Sequence, residues 1–145
     1  MPRIGECVFC RIIDGELEAS RVSADRQVVA FMDLEPVNPG HILVVPRRHA
    51  SSLSDLEPGE GAQVFRIAQL AAAAVRQARL VCEGVNLLLA DGATAGQEVF
   101  HVHLHVIPRF QGDGLGLRLQ PGSRKTDRSE LDAAAFALRE AWPAG

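Results

Sequence analysis

Three histidines at alternate positions, His101, His103 and His105, are the residues of this chain best suited to chemistry. Apolar residues separate them, and this period of two predicts a β-strand. On a strand that rises about 3.3 Å per residue, the imidazoles share one face, with about 6.6 Å between neighbours. A neutral imidazole is a nucleophile and a proton carrier near pH 7. Zinc–nitrogen bonds of about 2 Å let neighbouring histidines share one metal ion but exclude the outer pair on a straight strand. The alternative is a half-buried strand whose polar face happens to be histidine.

A second chemical feature is the pair Cys7 and Cys10, separated by two residues near the start of the chain. This spacing suits either a metal site or two reduced, buried thiols, and the pair alone does not decide between them. The chain has three cysteines, an odd number that fits a reducing cytoplasm better than a disulfide scaffold. We expect Cys82, the third, to be buried and inert.

The run from His101 to Ile107 alternates histidine with apolar residues and ends on two apolar positions. In this run the chain resembles the histidine triad (HIT) family of nucleotide hydrolases and transferases. The resemblance also covers the segments Cys7–Ile13, Ala30–Asp33, Pro39–Pro46 and Ala95–Glu98. Together these segments anchor roughly residues 5–112, which makes the assignment specific.

The resemblance implies a nucleotide hydrolase that cleaves at the α-phosphate of adenosine phosphoramidates, diadenosine polyphosphates or related nucleotidyl adducts. The implied catalytic set is His103 as the nucleophile, His105 as its acid or electrostatic partner, and His41 in support. Water would then cleave the nucleotidyl-histidine and release a nucleoside monophosphate. Two alternatives stay open: a nucleotidyltransferase or phosphorylase with the same intermediate, and a zinc-stabilised nucleotide-binding module without turnover.

The resemblance also implies a binding site for a purine nucleotide. Asp33 would accept two hydrogen bonds from the ribose hydroxyls, although a turn-capping aspartate is the simpler explanation of this residue alone. Successive amides at Gly96, Gln97 and Glu98 are expected to form a nest for phosphate oxygens, with a plain hairpin loop as the alternative. The full set of expected nucleotide contacts is Phe9, Ile12, Phe31, Asp33, Leu34, Gly96, Gln97 and Glu98.

The metal implied by the resemblance is one structural zinc ion. Its ligands would be Cys7, Cys10, His49 and His101, a complete tetrahedral set of two cysteines and two histidines. The ion would hold the N-terminus against the strand that carries the triad. A divalent cation is expected only as the companion of a polyphosphate substrate.

Two positions depart from the family pattern. Ala90 stands where many relatives have an asparagine or glutamine that contacts the scissile phosphate, and alanine offers no side-chain hydrogen bond. Glu98 stands where branches of the family differ between a hydroxyl residue and glutamate, so we expect it to influence which leaving group is accepted. Both departures leave the reaction class unchanged and bear on substrate and rate.

The elements that must position these residues follow from the apolar patterns. Besides the triad strand, strands are predicted at residues 28–32, 40–45 and 85–90, and helices at residues 58–80 and 128–141. A capping box at Ser54–Glu57 and an early Pro58 mark the start of the long helix. The expected fold is α+β, a mostly antiparallel sheet of about five strands with one long helix packed on it, a short N-terminal helix and a C-terminal helix.

The composition, 47% hydrophobic and 23% charged over 145 residues, fits one globular domain. We expect a single domain over 1–145, with a core at 5–112 and a glycine-rich exit and helix at 113–145. The net charge of −3 argues against general nucleic-acid binding, and no stretch approaches the ~20 apolar residues of a membrane span. The expected location is the cytoplasm. The resemblance further implies a two-fold homodimer.

Overall fold

The structure, a computed structural model, describes residues 6–116 and 126–145. In these ranges the helices are α1 (Val8–Ile13), α2 (Pro58–Gln77) and α3 (Arg128–Ala141). The strands are β1 (Arg21–Ala24), β2 (Val28–Met32), β3 (Ile42–Pro46), β4 (Gly84–Leu88) and β5 (Leu104–Arg109). Short 3₁₀ helices cover Leu53–Asp55 and Ala93–Ala95. Contacts divide the chain into the units Met1–Asp113 and Gly114–Gly145, which we describe separately.

The five strands form one antiparallel sheet in the order β1-β2-β3-β5-β4. A hairpin joins β2 to β3, with Ala30 opposite Val44. Strand β5 inserts beside β3, where Leu43 lies opposite His105. The predicted α+β fold, an antiparallel sheet with helices, is therefore confirmed.

Both faces of the sheet centre are buried, because successive residues of a strand point to opposite sides. On one face Val28, Ala30, Ile42, Val44, Leu104 and Val106 pack with the apolar side of α2. On the other face Val29, Phe31, Leu43 and Val45 pack with Cys7, Phe9, Cys10 and Ile12 of the α1 segment. Burial on both sides explains why β2 and β3 are continuous apolar runs in the sequence.

Helix α2 begins with Pro58 in its first turn, as predicted, but the cap is different. The capping box is formed by Glu57 and Glu60, while Asp55 caps the preceding 3₁₀ helix by accepting from the Ser52 amide at 3.1 Å. The predicted box at Ser54–Glu57 is therefore wrong by three residues. The helix ends at Gln77 rather than near residue 80, because the Ala78 backbone is already extended.

The segment after β5 is an ordered turn at its start. The Arg109 guanidinium donates to Asp113 at 2.7 Å and to Asn86 of β4 at 2.7 Å. Asp113 also accepts from the Asn38 side chain at 3.0 Å. These bonds tie residues 109–113 to the sheet.

The unit Gly114–Gly145 contains α3, which confirms the helix predicted at residues 128–141. Asp127 caps its first turn by accepting from the Glu130 amide at 2.9 Å. Across residues 6–116 and 126–145, no helix combines the length and apolar character needed to cross a membrane.

Candidate active site and metal centre

The triad occupies the entry to β5, with only His105 inside the strand. The strand begins at Leu104, so the prediction of one regular strand from residue 100 is wrong. Before it, the chain is held by a loop contact in which the Val102 amide donates to the Ala50 carbonyl at 2.8 Å. Leu104 and Val106 still enter the core beneath α2, while His103 and His105 line a cavity on the opposite side. The predicted alternation therefore holds from residue 103 onward.

His103 has a defined tautomer. Its Nδ1 lies 2.8 Å from the backbone carbonyl oxygen of His101, an acceptor, so Nδ1 carries the proton. The other ring nitrogen, Nε2, keeps its lone pair in a side chain that lines the cavity. The ring is buried, and the edge of Phe9 packs against it at 5.1 Å between centroids. A backbone carbonyl therefore holds Nδ1 as the protonated nitrogen and leaves Nε2 unprotonated.

His105 and His41 form a pair beside His103. Nε2 of His41 lies 2.9 Å from Nδ1 of His105, and the His103 and His105 rings lie 4.9 Å apart. Burial is the main cause that lowers the pKa of His105 to about 4, with repulsion from His103 and His41 adding to it. Burial also lowers the pKa of His41, partly opposed by the nearby Asp33 carboxylate. Both rings are therefore neutral at pH 7.

A cavity of about 620 Å³ lies over His103 and His105. Seven of the predicted nucleotide contacts line it: Phe9, Ile12, Phe31, Asp33, Leu34, Gly96 and Glu98. The eighth, Gln97, is not in the lining. Its side chain donates to the Ser51 carbonyl at 2.8 Å and accepts from the Gly92 amide at 2.8 Å. Gln97 therefore braces the loop through its side chain.

The loop before the triad does not present the predicted nest of three amides. The Gly96 amide donates to the Ala93 carbonyl at 3.0 Å, and the Gln97 amide donates to the Gly92 carbonyl at 3.1 Å. Within the described part of the chain, the Glu98 amide has no such acceptor. The nest prediction is wrong in this respect, because the 3₁₀ turn at residues 93–95 already uses two of the three donors.

The cavity lining is acidic. Glu18, Asp33, Glu35 and Glu98 contribute carboxylates, and among the described residues that line it there is no lysine or arginine. Glu18 and Glu35 were missed in the sequence because neither belongs to a recognised motif. Ala90 is not among the described residues that line the cavity.

The four predicted metal ligands converge beside the active site. Cys7 Sγ lies 3.4 Å from His101 Nδ1, and Cys10 Sγ lies 3.3 Å from His49 Nδ1 and 3.5 Å from His101 Nδ1. All four ligand atoms lie within 4.8 Å of one another. Zinc–sulfur bonds of about 2.3 Å and zinc–nitrogen bonds of about 2.0 Å in a tetrahedron place sulfur and nitrogen roughly 3.5 Å apart. The cluster therefore fits one tetrahedral zinc ion.

Local structure explains why these ligands meet. Cys7 caps α1 and Cys10 lies one turn later, so both sulfurs fall on one side of the helix. His101 Nε2 donates to the Pro46 carbonyl at 2.7 Å, which leaves Nδ1 unprotonated toward the sulfurs. Burial lowers the pKa of His101 to about 4, so the ring is neutral, as a metal ligand must be. Burial beside Cys7 raises the pKa of the Cys10 thiol to about 12, a penalty that a bound cation would offset.

An antiparallel sheet whose inner strand β5 delivers paired histidines to a cavity, beside a Cys₂His₂ cluster, defines a protein of the histidine triad class. The family model of the HIT domain matches residues 14–112. The chain belongs to the HIT family, as the sequence predicts. This membership supports nucleotide binding or hydrolysis in general terms.

Three similar proteins add detail. A crystal structure of a HIT family protein from Bacillus anthracis is 35% identical, with a TM-score of 0.88 and coverage of 94% of this chain and 97% of that one. A zinc-bound histidine triad family protein from Mycobacterium smegmatis is 38% identical, with a TM-score of 0.75 and coverage of 96% and 99%. The adenylylsulfatase HINT3 of Arabidopsis thaliana is 36% identical over 110 residues, which span 76% of this chain and 55% of that protein.

Proposed function

We propose that this protein is a hydrolase that cleaves nucleotidyl adducts at the α-phosphate through a covalent intermediate on His103. The observation that carries the proposal is the geometry of that ring. Its Nδ1 proton is held by the His101 carbonyl at 2.8 Å, and its side chain lines a cavity large enough for a nucleotide. A buried imidazole whose Nδ1–H is held by a carbonyl presents the lone pair of Nε2 to the cavity, so it needs no separate base to act as a nucleophile.

In the first step, the lone pair of His103 Nε2 attacks the α-phosphorus as the bond from phosphorus to the leaving group breaks. The leaving group departs with its negative charge stabilised by a hydrogen bond from the neutral His105 ring, and it takes its proton from water. The positive charge that develops on the His103 ring is stabilised by the His101 carbonyl oxygen at Nδ1. In the second step, water attacks the phosphorus, the phosphorus–nitrogen bond breaks with its electron pair returning to His103 Nε2, and the proton of the water is released to solvent. The products are a nucleoside monophosphate and the free leaving group.

The nucleoside would occupy the outer part of the cavity. Phe9, Ile12 and Phe31 give the cavity an apolar wall for a purine base. Asp33, half-buried at the end of β2, is placed to accept hydrogen bonds from the ribose hydroxyls. The Glu98 amide is a candidate donor to the phosphate.

The charge of the cavity favours one group of substrates. Four carboxylates line it, so a long polyphosphate tail would meet repulsion that a short, uncharged or cationic leaving group would not. We therefore favour adenosine phosphoramidates and other adenylyl adducts over diadenosine polyphosphates, which would need a divalent cation. The adenylylsulfatase relative, named for an adenylyl adduct, supports this choice. His105 beside the nucleophile favours transfer to water rather than to phosphate or a sugar phosphate.

We also propose that Cys7, Cys10, His49 and His101 hold a structural zinc ion. The similar zinc-bound protein from M. smegmatis supports this assignment. Zinc would neutralise the two thiolates and cross-link α1 to the triad segment. Because the carbonyl of His101 orients His103 and the ring of Phe9 in α1 packs on it, the zinc ligands and the nucleophile share their supports.

We further propose that the protein is a homodimer in a reducing cytoplasm. Strand β4 lies at one edge of the sheet, with exposed Leu87 and Leu88, and so offers a surface for a second copy. The three cysteines, Cys7, Cys10 and Cys82, are free thiols.

The test is release of adenosine monophosphate from adenosine phosphoramidate by the native chain, His103→Ala and His103→Asn. Asparagine can still donate to the His101 carbonyl, but it has no imidazole nitrogen to attack phosphorus. We expect both variants to lose activity at least 10³-fold, on the order of what removal of a catalytic nucleophile costs, while circular dichroism shows that they remain folded. A native chain that binds the nucleotide but releases no monophosphate would favour the binding module instead.

A further inference from the structure

We infer that the backbone amide of Val37, acting through His41, fixes which nitrogen of His105 carries the proton. The turn between β2 and β3 is then a positioning element for the hydrogen-bond donor beside His103. The catalytic consequence rests on the proposed function, whereas the tautomer is a property of the free protein.

The tautomer of His41 is fixed by the Val37 amide. The Val37 amide donates to His41 Nδ1 at 3.1 Å, and an amide N–H cannot accept a proton in return. Nδ1 of His41 is therefore the acceptor nitrogen. The ring is 2% exposed and neutral, so its single proton must reside on Nε2.

The tautomer of His105 follows from that of His41. His41 Nε2 lies 2.9 Å from His105 Nδ1, so the His41 proton is donated to that nitrogen. The proton of neutral His105 must then reside on its own Nε2. Next to it, His103 has the opposite tautomer, with its proton on Nδ1 and its lone pair on Nε2. Two neighbouring imidazoles thus present a lone pair for attack and an N–H that can donate a hydrogen bond to the leaving group.

The turn that supplies the amide is held firmly. The Asp33 amide donates to the His41 carbonyl at 3.0 Å, and the His41 amide donates to the Asn38 carbonyl at 3.1 Å. The Asn38 side chain donates to the Pro108 carbonyl at 2.9 Å. Gly40 has a φ of +95°, and a Cβ there would lie 2.9 Å from a methyl group of Leu80. The position of the Val37 amide is therefore set by the fold.

A metal ion is the competing explanation for this cluster. Ligand atoms of Asp33, His41 and His105 lie within 4.8 Å of one another. A metal on His41 Nε2 would, however, move the ring proton to Nδ1, where it would point at the Val37 N–H. The geometry thus favours a chain of hydrogen bonds over a second metal site.

The same chemistry limits proton transfer. The Val37 amide cannot take up the proton of His41. The hydrogen bond between them therefore fixes the tautomer of His41 and does not pass protons to solvent. His105 therefore keeps its proton through the reaction and acts as a hydrogen-bond donor to the leaving group.

The decisive measurement is the ¹⁵N spectrum of the imidazoles in the native chain, labelled at histidine and recorded at pH 7 without substrate. We expect Nε2–H tautomers for His41 and His105 and the Nδ1–H tautomer for His103, with assignments from single histidine variants. A His105 proton on Nδ1, or a His41 proton on Nδ1, overturns the inference. Because no substrate is involved, this outcome is separate from failure of the proposed function, which would appear as native tautomers without monophosphate release.

Variants then test the consequence. Val37→Pro removes the amide donor and Val37→Ala keeps it, so only the proline variant should disturb the His41 and His105 tautomers and lower kcat by about tenfold or more. His41→Gln, which can accept from Val37 and donate to His105, should keep at least about tenfold more kcat than His41→Ala. A proline variant with native tautomers and native kcat, or equal kcat in the two His41 variants, overturns the inference. If the proline variant does not fold, the native spectrum and the His41 pair decide the matter.

Discussion

Lowering the pH should destabilise the native protein more than a His105→Gln variant. Burial lowers the pKa of His105 from 6.5 to about 4 in the folded state, whereas in the unfolded chain the ring titrates near its ordinary value of about 6.5. Between these values the unfolded state binds a proton that the folded state does not. The contribution of His105 to stability is therefore complete above pH 6.5 and is lost as the pH falls toward 4.

The size of the effect follows from this difference. At about 1.36 kcal/mol per pKa unit, the interval from 6.5 to about 4 corresponds to about 3.4 kcal/mol. This is an upper limit, because His105 is only partly buried and solvent screens the penalty. Between pH 7 and pH 4.5 we expect the native free energy of unfolding to fall by about 1.5 kcal/mol more than that of the variant.

The assay is urea unfolding followed by far-ultraviolet circular dichroism at both pH values, with zinc and reductant equal in all samples. Glutamine can accept from His41 Nε2 but does not titrate, so all other pH effects cancel in the comparison. Equal losses of stability in the native chain and the variant would refute the burial argument for His105. A larger loss in the variant would reverse its sign.

Three further outcomes are expected. Purified native chain should contain about one zinc ion per protomer by metal analysis. Cys10→Ser should lose most of the zinc and unfold at a lower temperature, whereas the matched control Cys82→Ser should keep the zinc. Retention of zinc by both variants would contradict the proposed site. Glu98→Gln should raise kcat/KM for a diadenosine polyphosphate about threefold relative to kcat/KM for adenosine phosphoramidate. The reason is that repulsion between one carboxylate and a phosphate at about 7 Å costs about 0.6 kcal/mol in water. An unchanged ratio would show that Glu98 does not influence substrate choice. Glu60→Ala should lower the free energy of unfolding in urea by about 1–2 kcal/mol. The substitution removes a buried capping residue of α2 whose carboxylate pairs with the half-exposed Arg48 at 2.6 Å. A decrease below about 0.5 kcal/mol would contradict this role.

The sequence predicts the parts of the fold that have a strong period. The apolar runs of β2 and β3 and the 3.6-residue spacing along α2 are visible because these residues are buried. Strand β1 was not predicted, since all four of its residues are exposed and show no alternation. The start of β5 was placed too early because the histidine alternation continues into residues whose backbone bonds to a loop, as Val102 does to Ala50.

The site divides in the same way. Side chains fixed by motif spacing, such as the metal ligands and His103, were predictable through the family resemblance. Hydrogen-bond partners that lie in irregular backbone segments were not predictable. The donation from Val37 to His41, the internal use of the Gly96 and Gln97 amides, and the acidic lining depend on how loops fold, which residue types alone do not specify.

The central claim is that His103 becomes covalently nucleotidylated during turnover. The most direct measurement mixes native protein with adenosine phosphoramidate, quenches the reaction in alkali within milliseconds and maps the modified peptide by mass spectrometry. We predict one adenylyl group on His103 that forms and decays at rates consistent with monophosphate release, and none in His103→Ala. Monophosphate release without a modified histidine, or an adenylyl group on a different residue, would contradict the proposed mechanism.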